Sequence, residues 1–299
     1  MRARSADTLP SNAPLPVKTI TDYPARHLTD ARPLISVITV VRNGAAGLAR
    51  TIQSVASQDL PHLEYIVIDG GSTDGTLDII QAHSDSISYW QSEADAGISD
   101  GFNKGIAHSH GKYVTLVHAD DWLSPDQLKF GIQTLEESGA DFVFGDLLYY
   151  RDGVQQYRIR GECDYAQRIR HVMPALNHPT VIVRRTAYEH LGLFDTDFKL
   201  AMDYELLLRF HMAGLRGQYD ARVTGNMSLD GASDRNAGKG LVETRHAAIR
   251  YGYPIAKAWA LYIFRLLKSS ARRTSERALP RAVYQAIRGK LNRNFDSAS

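Results

Sequence analysis

Two adjacent carboxylates, Asp120 and Asp121, stand in the string His118-Ala119-Asp120-Asp121-Trp122, directly after a short apolar run. Paired carboxylates at the carboxyl end of a strand can hold Mg²⁺ or Mn²⁺, hard ions that take oxygen ligands and share them with phosphate. Such an ion would stabilise the charge that develops on a departing diphosphate. The same two residues also suit a solvated turn ahead of Ser124. Far along the chain, Ala201-Met202-Asp203-Tyr204-Glu205 opens an apolar helix. A carboxylate at that mouth, Asp203, can take the proton of an acceptor hydroxyl as general base. It equally suits the first turn of any helix, where an acid complements the macrodipole.

Four further segments could line the same cleft. Arg42-Asn43-Gly44 and Asp69-Gly70-Gly71-Ser72-Thr73-Asp74-Gly75 follow apolar runs. They read either as a pocket edge, with Asp69 accepting hydrogen bonds from a base or ribose, or as ordinary turn chemistry. Ser92 to Gly105 combines glycine-rich backbone with a helix start, which can approach phosphates, and Lys104 adds a point charge. A helix with polar residues facing water fits that segment as well. Asn177-His178-Pro179-Thr180 offers His178, although a single histidine before a proline is more often a loop residue. Neither G-x-G-x-x-G nor G-x-x-x-x-G-K-[ST] occurs at the strand ends, which counts against hydride transfer and P-loop ATP hydrolysis.

These residues need elements to carry them. Ile35–Val41 is β-branched and reads as a buried strand; Leu48, Ile52 and Val55 then recur at helical spacing within Gly44–Gln58. Tyr65–Ile68, Ile87–Gln91, Tyr113–Val117 and Phe142–Phe144 read as strands. Helices are expected over Thr76–Ala82, Gly97–Ser109 and from a Ser124 cap through Leu135. Later come strands at Gln155–Ile159 and Thr180–Val183, then helices at Thr186–Leu191 and Tyr204–Ala213. Such alternation predicts an α/β fold with a Rossmann-like, mostly parallel central sheet flanked by helices, with ligands beyond the carboxyl ends of its strands.

The flanks differ in character. Residues 1–32 are polar and punctuated by prolines, and are expected to form a flexible arm before a catalytic domain over 33–235. From Leu241 onward twelve Lys/Arg face three Asp/Glu, so 236–299 reads as a basic amphipathic helical appendage. At 100° per residue Ile255, Trp259, Tyr262 and Leu266 share one face, opposite Lys257, Arg265, Lys268 and Arg272, with Leu261 and Phe264 intruding. After Pro280, Val283, Tyr284, Ile287 and Leu291 oppose Arg281, Arg288 and Lys290. Apolar residues set against basic ones suit a helix lying on an anionic membrane, or one covering the catalytic domain. No apolar run approaches the ~20 residues needed to span a bilayer, and no secretory signal is read. Cys163 is the only cysteine, which excludes an internal disulfide and a zinc–cysteine cluster and suits a cytoplasmic protein. The basic tail carries no nucleic-acid-binding motif, so no nucleic acid is expected as partner.

The order of the strings ISVITVVRNG, TIQSVASQ, EYIVIDGGSTDGT, SEADAGISDGFNKGI, LVHADDWL, NHPTVIVRR and FDTDFKLAMDYELLLR resembles family 2 glycosyltransferases of the GT-A fold. The similarity runs from Leu34 to Phe210 and is greatest to members that build bacterial exopolysaccharide or lipopolysaccharide. It implies an inverting transfer from a nucleotide-diphosphate sugar to a saccharide or lipid-linked saccharide acceptor, with Mn²⁺ or Mg²⁺ as cofactor. It further implies Asp120 and Asp121 as metal-binding residues and Asp203 as catalytic base. Thr39, Val41, Asn43, Asp69, Asp95, Asn103, Lys104 and Asp120 fall on the donor side, and His178 and Met202 weakly on the acceptor side. Three positions depart from the family pattern: Gly70 where many members carry a second acid, His118 where many carry Asp, and Met202 where many carry Glu. A nucleotidyltransferase and a non-catalytic sugar-nucleotide-binding subunit are the competing readings. The expected location is the cytoplasm, peripheral on the inner membrane.

Overall fold

The computed structural model describes residues 18, 20, 32–229, 237–278 and 295–297. Most of the expected N-terminal arm and the amphipathic stretch after Pro280 lie outside the described residues.

Strands β1 (Ile35–Val41), β2 (Leu63–Asp69), β3 (Tyr89–Ser92) and β4 (Tyr113–His118) alternate with helices α1 (Ala45–Ala56), α2 (Thr76–Ala82) and α3 (Ile98–His108). They pair in parallel in the order β4-β1-β2-β3. Every residue of β1 is buried, as a strand covered on both faces requires. Side chains alternate across the sheet: Ile38 and Val40 pack with Phe102 and Ile106 of α3, whereas Val37 and Val41 pack with Leu48 and Ile52 of α1. Gly105 brings α3 close to the sheet, because a Cβ there would lie 2.3 Å from Cγ2 of Ile38.

Beyond β4 the sheet changes direction. After the short β5 (Trp122–Leu123) and α4 (Gln127–Ser138) come β6 (Phe142–Arg151), β7 (Val154–Ile159), β8 (Ile182–Arg184), α5 (Arg185–Leu191), α6 (Met202–Met212) and β9 (Gly217–Ser228). Strand β8 runs antiparallel to both β4 and β6, and β7 antiparallel to β6. Strand β9 follows β6 in parallel and meets β5 in antiparallel. The sheet is therefore mixed, with the parallel order confined to β1–β4 and to the β6–β9 pair. Ser124 does not cap α4 as expected. Asp126, at φ 56°, precedes the helix, and the Ser124 hydroxyl accepts a hydrogen bond from Asn226 Nδ2 at 2.9 Å.

Helices α7 (Ala237–Arg250) and α8 (Ile255–Ala278) form a hairpin beside α6. Tyr251 donates to Glu205 at 2.6 Å, and Arg250 pairs with Asp195 at 2.5 Å. The inner face of α8 carries Ala258, Leu261, Tyr262 and Arg265 toward α7. Its exposed face carries Ile255, Trp259, Ile263, Phe264 and Leu267. This corrects the expected division: Arg265 turns inward, and Phe264 belongs to the exposed apolar ridge. No helix among the described residues is long and apolar enough to cross a membrane. A final short strand, β10 (Phe295–Ser297), pairs antiparallel with β7.

Candidate active site

The loops after β1 and β2 are tied to each other. The Asn43 N–H donates to Ser72 Oγ at 2.7 Å, and Asn43 Oδ1 accepts from the Thr73 N–H at 2.9 Å. Ser72 in turn donates to Asp69, whose other oxygen accepts from Ser92 Oγ at 2.6 Å. Asp69 is thus fully buried at the end of β2, holding three loops together. Two expected donor residues on β1 point elsewhere. Thr39 is buried and shares a hydrogen bond with the Tyr65 hydroxyl at 3.0 Å. Val41 packs its side chain in the α1 core, and only its carbonyl reaches the rim, accepting from Gly70 N–H at 2.8 Å.

The third loop carries Asp95 across Gly70. A Cβ on Gly70 would lie 2.5 Å from Asp95 Oδ2, so the Asp95 carboxylate lies against the position where the family often has an acid. Asp95 Oδ1 also accepts from the Gly97 N–H at 3.0 Å. The rest of that segment corrects the phosphate-approach reading. Gly101 and Gly105 face the sheet, with a Cβ on Gly101 falling 2.6 Å from Val40 Cγ1. Asn103 is fully buried, and both ends of its amide bond the backbone of Phe194, at 2.9 and 2.8 Å. Lys104 lies between Glu93 at 2.6 Å and Asp100 at 3.5 Å.

Asp120 and Asp121 sit in the turn between β4 and β5. Asp120 is exposed, whereas Asp121 is 1% exposed. Asp121 Oδ1 accepts from the Ser228 N–H at 3.3 Å, while its buried Oδ2 has no hydrogen-bond partner. Burial, and then the adjacent Asp120 charge, push the Asp121 carboxyl well above the usual range. A buried carboxylate oxygen without a donor suits a cation, so these residues fit Mg²⁺ or Mn²⁺. Among the described residues no group of three or more His, Cys, Asp or Glu converges to hold a metal ion. An ion here would therefore complete its shell with water and donor phosphate oxygens, which is usual for Mg²⁺.

Asp203 lies in the first turn of α6, accepting from the Tyr204 N–H at 2.8 Å. Burial raises its pKa; the Tyr204 N–H and His118 oppose that shift and Glu243 adds to it. Met202 beside it is buried, its sulfur accepting from Ser99 Oγ at 3.0 Å, so it faces α3.

Sequence reasoning noted His118 only as a departure from the family pattern. Its ring centroid lies 6.0 Å from that of His178, and the Asp120 and Asp203 charges both act to raise its pKa. Burial first, and then His178, lower its pKa to about 4; burial alone lowers His178 to about 4. Both rings are therefore neutral at physiological pH. Phe102 packs edge-on against each. Arg50 was also missed: it lies over Trp122 at 3.6 Å and donates to the Asp120 carbonyl at 3.3 Å. Thr51 donates to the Asp121 carbonyl at 2.7 Å, completing the grip of α1 on the acidic turn. The histidine had a signal, an imidazole where the family has a carboxylate; Arg50 and Thr51 had none beyond helical position.

A parallel half-sheet with carboxylates at its strand ends, extended by antiparallel strands, is the architecture of a GT-A fold. The family model described as glycosyl transferase family 2 matches residues 36–192. The chain belongs to that family. It is 33% identical over 184 residues to an uncharacterized glycosyltransferase of Mycobacterium tuberculosis, covering 59% of this chain and 68% of the relative. A putative teichuronic acid biosynthesis glycosyltransferase of Bacillus subtilis, TuaG, is 34% identical over 130 residues, which is 42% of this chain and 52% of TuaG. Among solved structures, the mannosyltransferase PcManGT from Pyrobaculum calidifontis, in complex with GDP-Man and Mn²⁺, superposes with TM-score 0.60 at 20% identity, covering 87% of this chain and 79% of its own. S. aureus TarS in complex with UDP-GlcNAc gives TM-score 0.59 at 20% identity, with 72% and 66% covered. At that identity the solved structures speak for the fold.

Proposed function

We propose that this glycosyltransferase is an inverting, divalent-metal-dependent enzyme that transfers a sugar from a nucleotide-diphosphate donor to an acceptor hydroxyl. The observation that carries the reading is Asp121, buried in the turn after β4 with its Oδ2 lacking any hydrogen-bond partner and Asp120 exposed beside it. Asp69 and Asp95 line the nucleoside side. Asp120 and Asp121 would hold Mn²⁺ or Mg²⁺, which would supply Lewis-acid stabilisation of the departing diphosphate. Asp203 takes the proton of the acceptor hydroxyl as its oxygen bonds to the anomeric carbon. The bond from that carbon to the diphosphate breaks on the opposite face, and single displacement inverts the centre. No carboxylic acid is needed to protonate the leaving oxygen, in contrast to glycoside hydrolysis. The Mn²⁺ bound in the Pyrobaculum mannosyltransferase and the pathway named for TuaG support the metal and a role in cell-surface polysaccharide assembly.

The catalytic unit spans 33–235, and the segment 236–299 is its membrane-facing appendage. The apolar ridge of α8, with exposed Lys257 and Lys268 at its margin, supports docking on an anionic lipid surface beside a lipid-linked acceptor. On this reading the enzyme works at the cytoplasmic face of the inner membrane.

Chelation tests the core of the reading. Excess EDTA is expected to abolish nucleoside diphosphate release, and Mn²⁺ or Mg²⁺ to restore it. Asp121→Asn is expected to stay folded and to lose the Mn²⁺-dependent rise in Tm that nucleotide binding gives the native protein. Full activity in chelator would sink the metal assignment. Release of pyrophosphate from a nucleoside triphosphate and a sugar phosphate would instead support a nucleotidyltransferase.

A further inference from the structure

Glu243, on α7, accepts three consecutive backbone N–H groups through one carboxylate oxygen. Lys199 donates at 3.1 Å, Leu200 at 2.8 Å and Ala201 at 2.8 Å. These are the last residues before α6, and Ala201 is its N-cap residue. A helix start leaves backbone donors unsatisfied, and successive N–H groups form a concavity that takes an anion. Here the anion is a side chain from beyond the matched family segment, which ends at residue 192.

The same turn reaches the donor side of the cleft. Lys199 Nζ donates to the Ala96 carbonyl at 3.2 Å, and the Phe198 carbonyl accepts from Ser99 Oγ at 3.0 Å. The Phe198 ring stacks on His246, with centroids 5.6 Å apart. Arg250 and Tyr251 separately anchor the far end of α7 to Asp195 and Glu205. We infer that Glu243 is a positioning residue: it fixes the turn 199–201, and with it the first turn of α6 and Asp203, against the donor-side loop at 95–97. The inference rests on the reading of Asp203 as catalytic base. It makes the appendage part of the reaction machinery, since the carboxylate that sets the base comes from the tail.

The experiment compares Glu243→Ala, Glu243→Gln, Tyr251→Phe and Asp203→Asn in the full chain. Turnover is nucleoside diphosphate release from a mixture of UDP-glucose, UDP-GlcNAc and GDP-mannose, with a bacterial lipid extract as acceptor. Backbone hydrogen exchange over 199–205 is measured in parallel. Misplacing a reacting group by about 1 Å costs on the order of 100-fold. Glu243→Ala is therefore expected to lower the rate at saturating donor about tenfold or more, with half-saturation unchanged and faster exchange at 199–203. Glu243→Gln keeps a carbonyl acceptor and is expected to restore most of that rate. Tyr251→Phe is expected to lower Tm and leave the rate near that of the native enzyme. If Glu243→Ala and Tyr251→Phe lose rate in proportion to their loss of Tm, the role is general stabilisation and the proposal is overturned. If Glu243→Ala turns over normally while Asp203→Asn is dead, Glu243 fails alone. If Asp203→Asn turns over normally, the base reading falls and the Glu243 proposal falls with it.

Discussion

The two rims of the cleft are held by different means. The donor rim is a local lattice: Asn43, Ser72, Asp69 and Ser92 exchange hydrogen bonds between the loops that follow β1, β2 and β3. Its members come from consecutive strand–loop–helix units, and several are exposed. The base rim is gripped from a distance. Ser99 and Asn103 of α3 bond the backbone at Phe198 and Phe194, and Glu243 of α7 bonds the turn at 199–201. Damage to a local lattice is expected to stay local, because neighbouring bonds hold each loop. Damage to a distant grip separates whole elements, and three substitutions test that contrast.

The largest effect is expected at Asp203. As a general base it contributes roughly 10²–10⁴-fold, so Asp203→Asn lowers the transfer rate by that factor with donor affinity unchanged. Burial raises the Asp203 pKa, so the native rate falls with acid while the pH is still above the ordinary carboxylate range. The stability consequence has the opposite sense. A raised folded pKa stabilises the protein below the unfolded value, and that contribution is lost as pH rises through the folded pKa. At neutral pH the ionised Asp203 is therefore a cost, and Asp203→Asn is expected to raise Tm there, with the gain vanishing in acid. A variant that loses donor binding instead, or a Tm gain that grows in acid, would contradict the assignment.

Next in size is Asn103. Removing its amide leaves the buried N–H and C=O of Phe194 without partners, at about 1–3 kcal/mol each. Asn103→Ala is expected to destabilise the protein by about 3 kcal/mol in denaturant titration and to loosen the Phe102–Phe194 contact. Nucleotide affinity per folded molecule should hold. A selective loss of donor binding with unchanged stability would return Asn103 to the donor contact expected from its motif.

Asn43 gives the matching test on the donor rim. Its two bonds are exposed, each worth about 1 kcal/mol at most, and its φ of 52° disfavours alanine by roughly 1–2 kcal/mol. Asn43→Gly relieves the backbone term, keeps the backbone N–H to Ser72 and removes the Oδ1 bond from the Thr73 N–H. The expected outcome is weaker donor binding with Tm nearly unchanged. A fall in Tm as large as that of Asn103→Ala would erase the distinction between the rims.

The same contrast governs how much of the molecule was legible in its sequence. From β1 to β4 each strand and helix carries its own periodicity, and each expected element is found there within a few residues. Asp120, Asp121 and Asp203 were placed at a strand end and a helix mouth because short β-branched and apolar runs mark those ends. Strand β9 was not anticipated: Gly217–Ser228 mixes polar and half-exposed residues, and its pairing with β6 lies far off in sequence. Helix α7 lies within the 236–299 segment read as helical, but its grip on α6 and the turn before it, through Glu243, Arg250 and Tyr251, had no signal in the sequence. The motif puts Asn103 on the donor side and leaves the glycine-rich segment open between phosphate approach and a water-facing helix, although the same residue types serve close helix–sheet approach and backbone bonding. A motif identifies positions; only the packing shows which side of the element each one faces.

The smallest effect, and the most salt-sensitive, concerns α8. Its exposed ridge of Ile255, Trp259, Ile263, Phe264 and Leu267 has Lys257 and Lys268 exposed beside it. Apolar insertion combined with basic residues near an anionic surface, at about 1 kcal/mol per charge, favours lipid over neutral partners. The full chain is expected to co-sediment with phosphatidylglycerol vesicles at low salt and to be released as salt screens the charges. Vesicles of phosphatidylcholine should retain little of it. On binding, the fluorescence of Trp259 should shift to shorter wavelength. Replacing Ile263 and Phe264 together by Glu is expected to abolish sedimentation while leaving Tm near the native value, because both side chains face outward. If the native chain stays in the supernatant at low salt, the ridge does not meet lipid. Concentration-dependent dimerisation that the same double variant removes would assign it to a second copy of the chain.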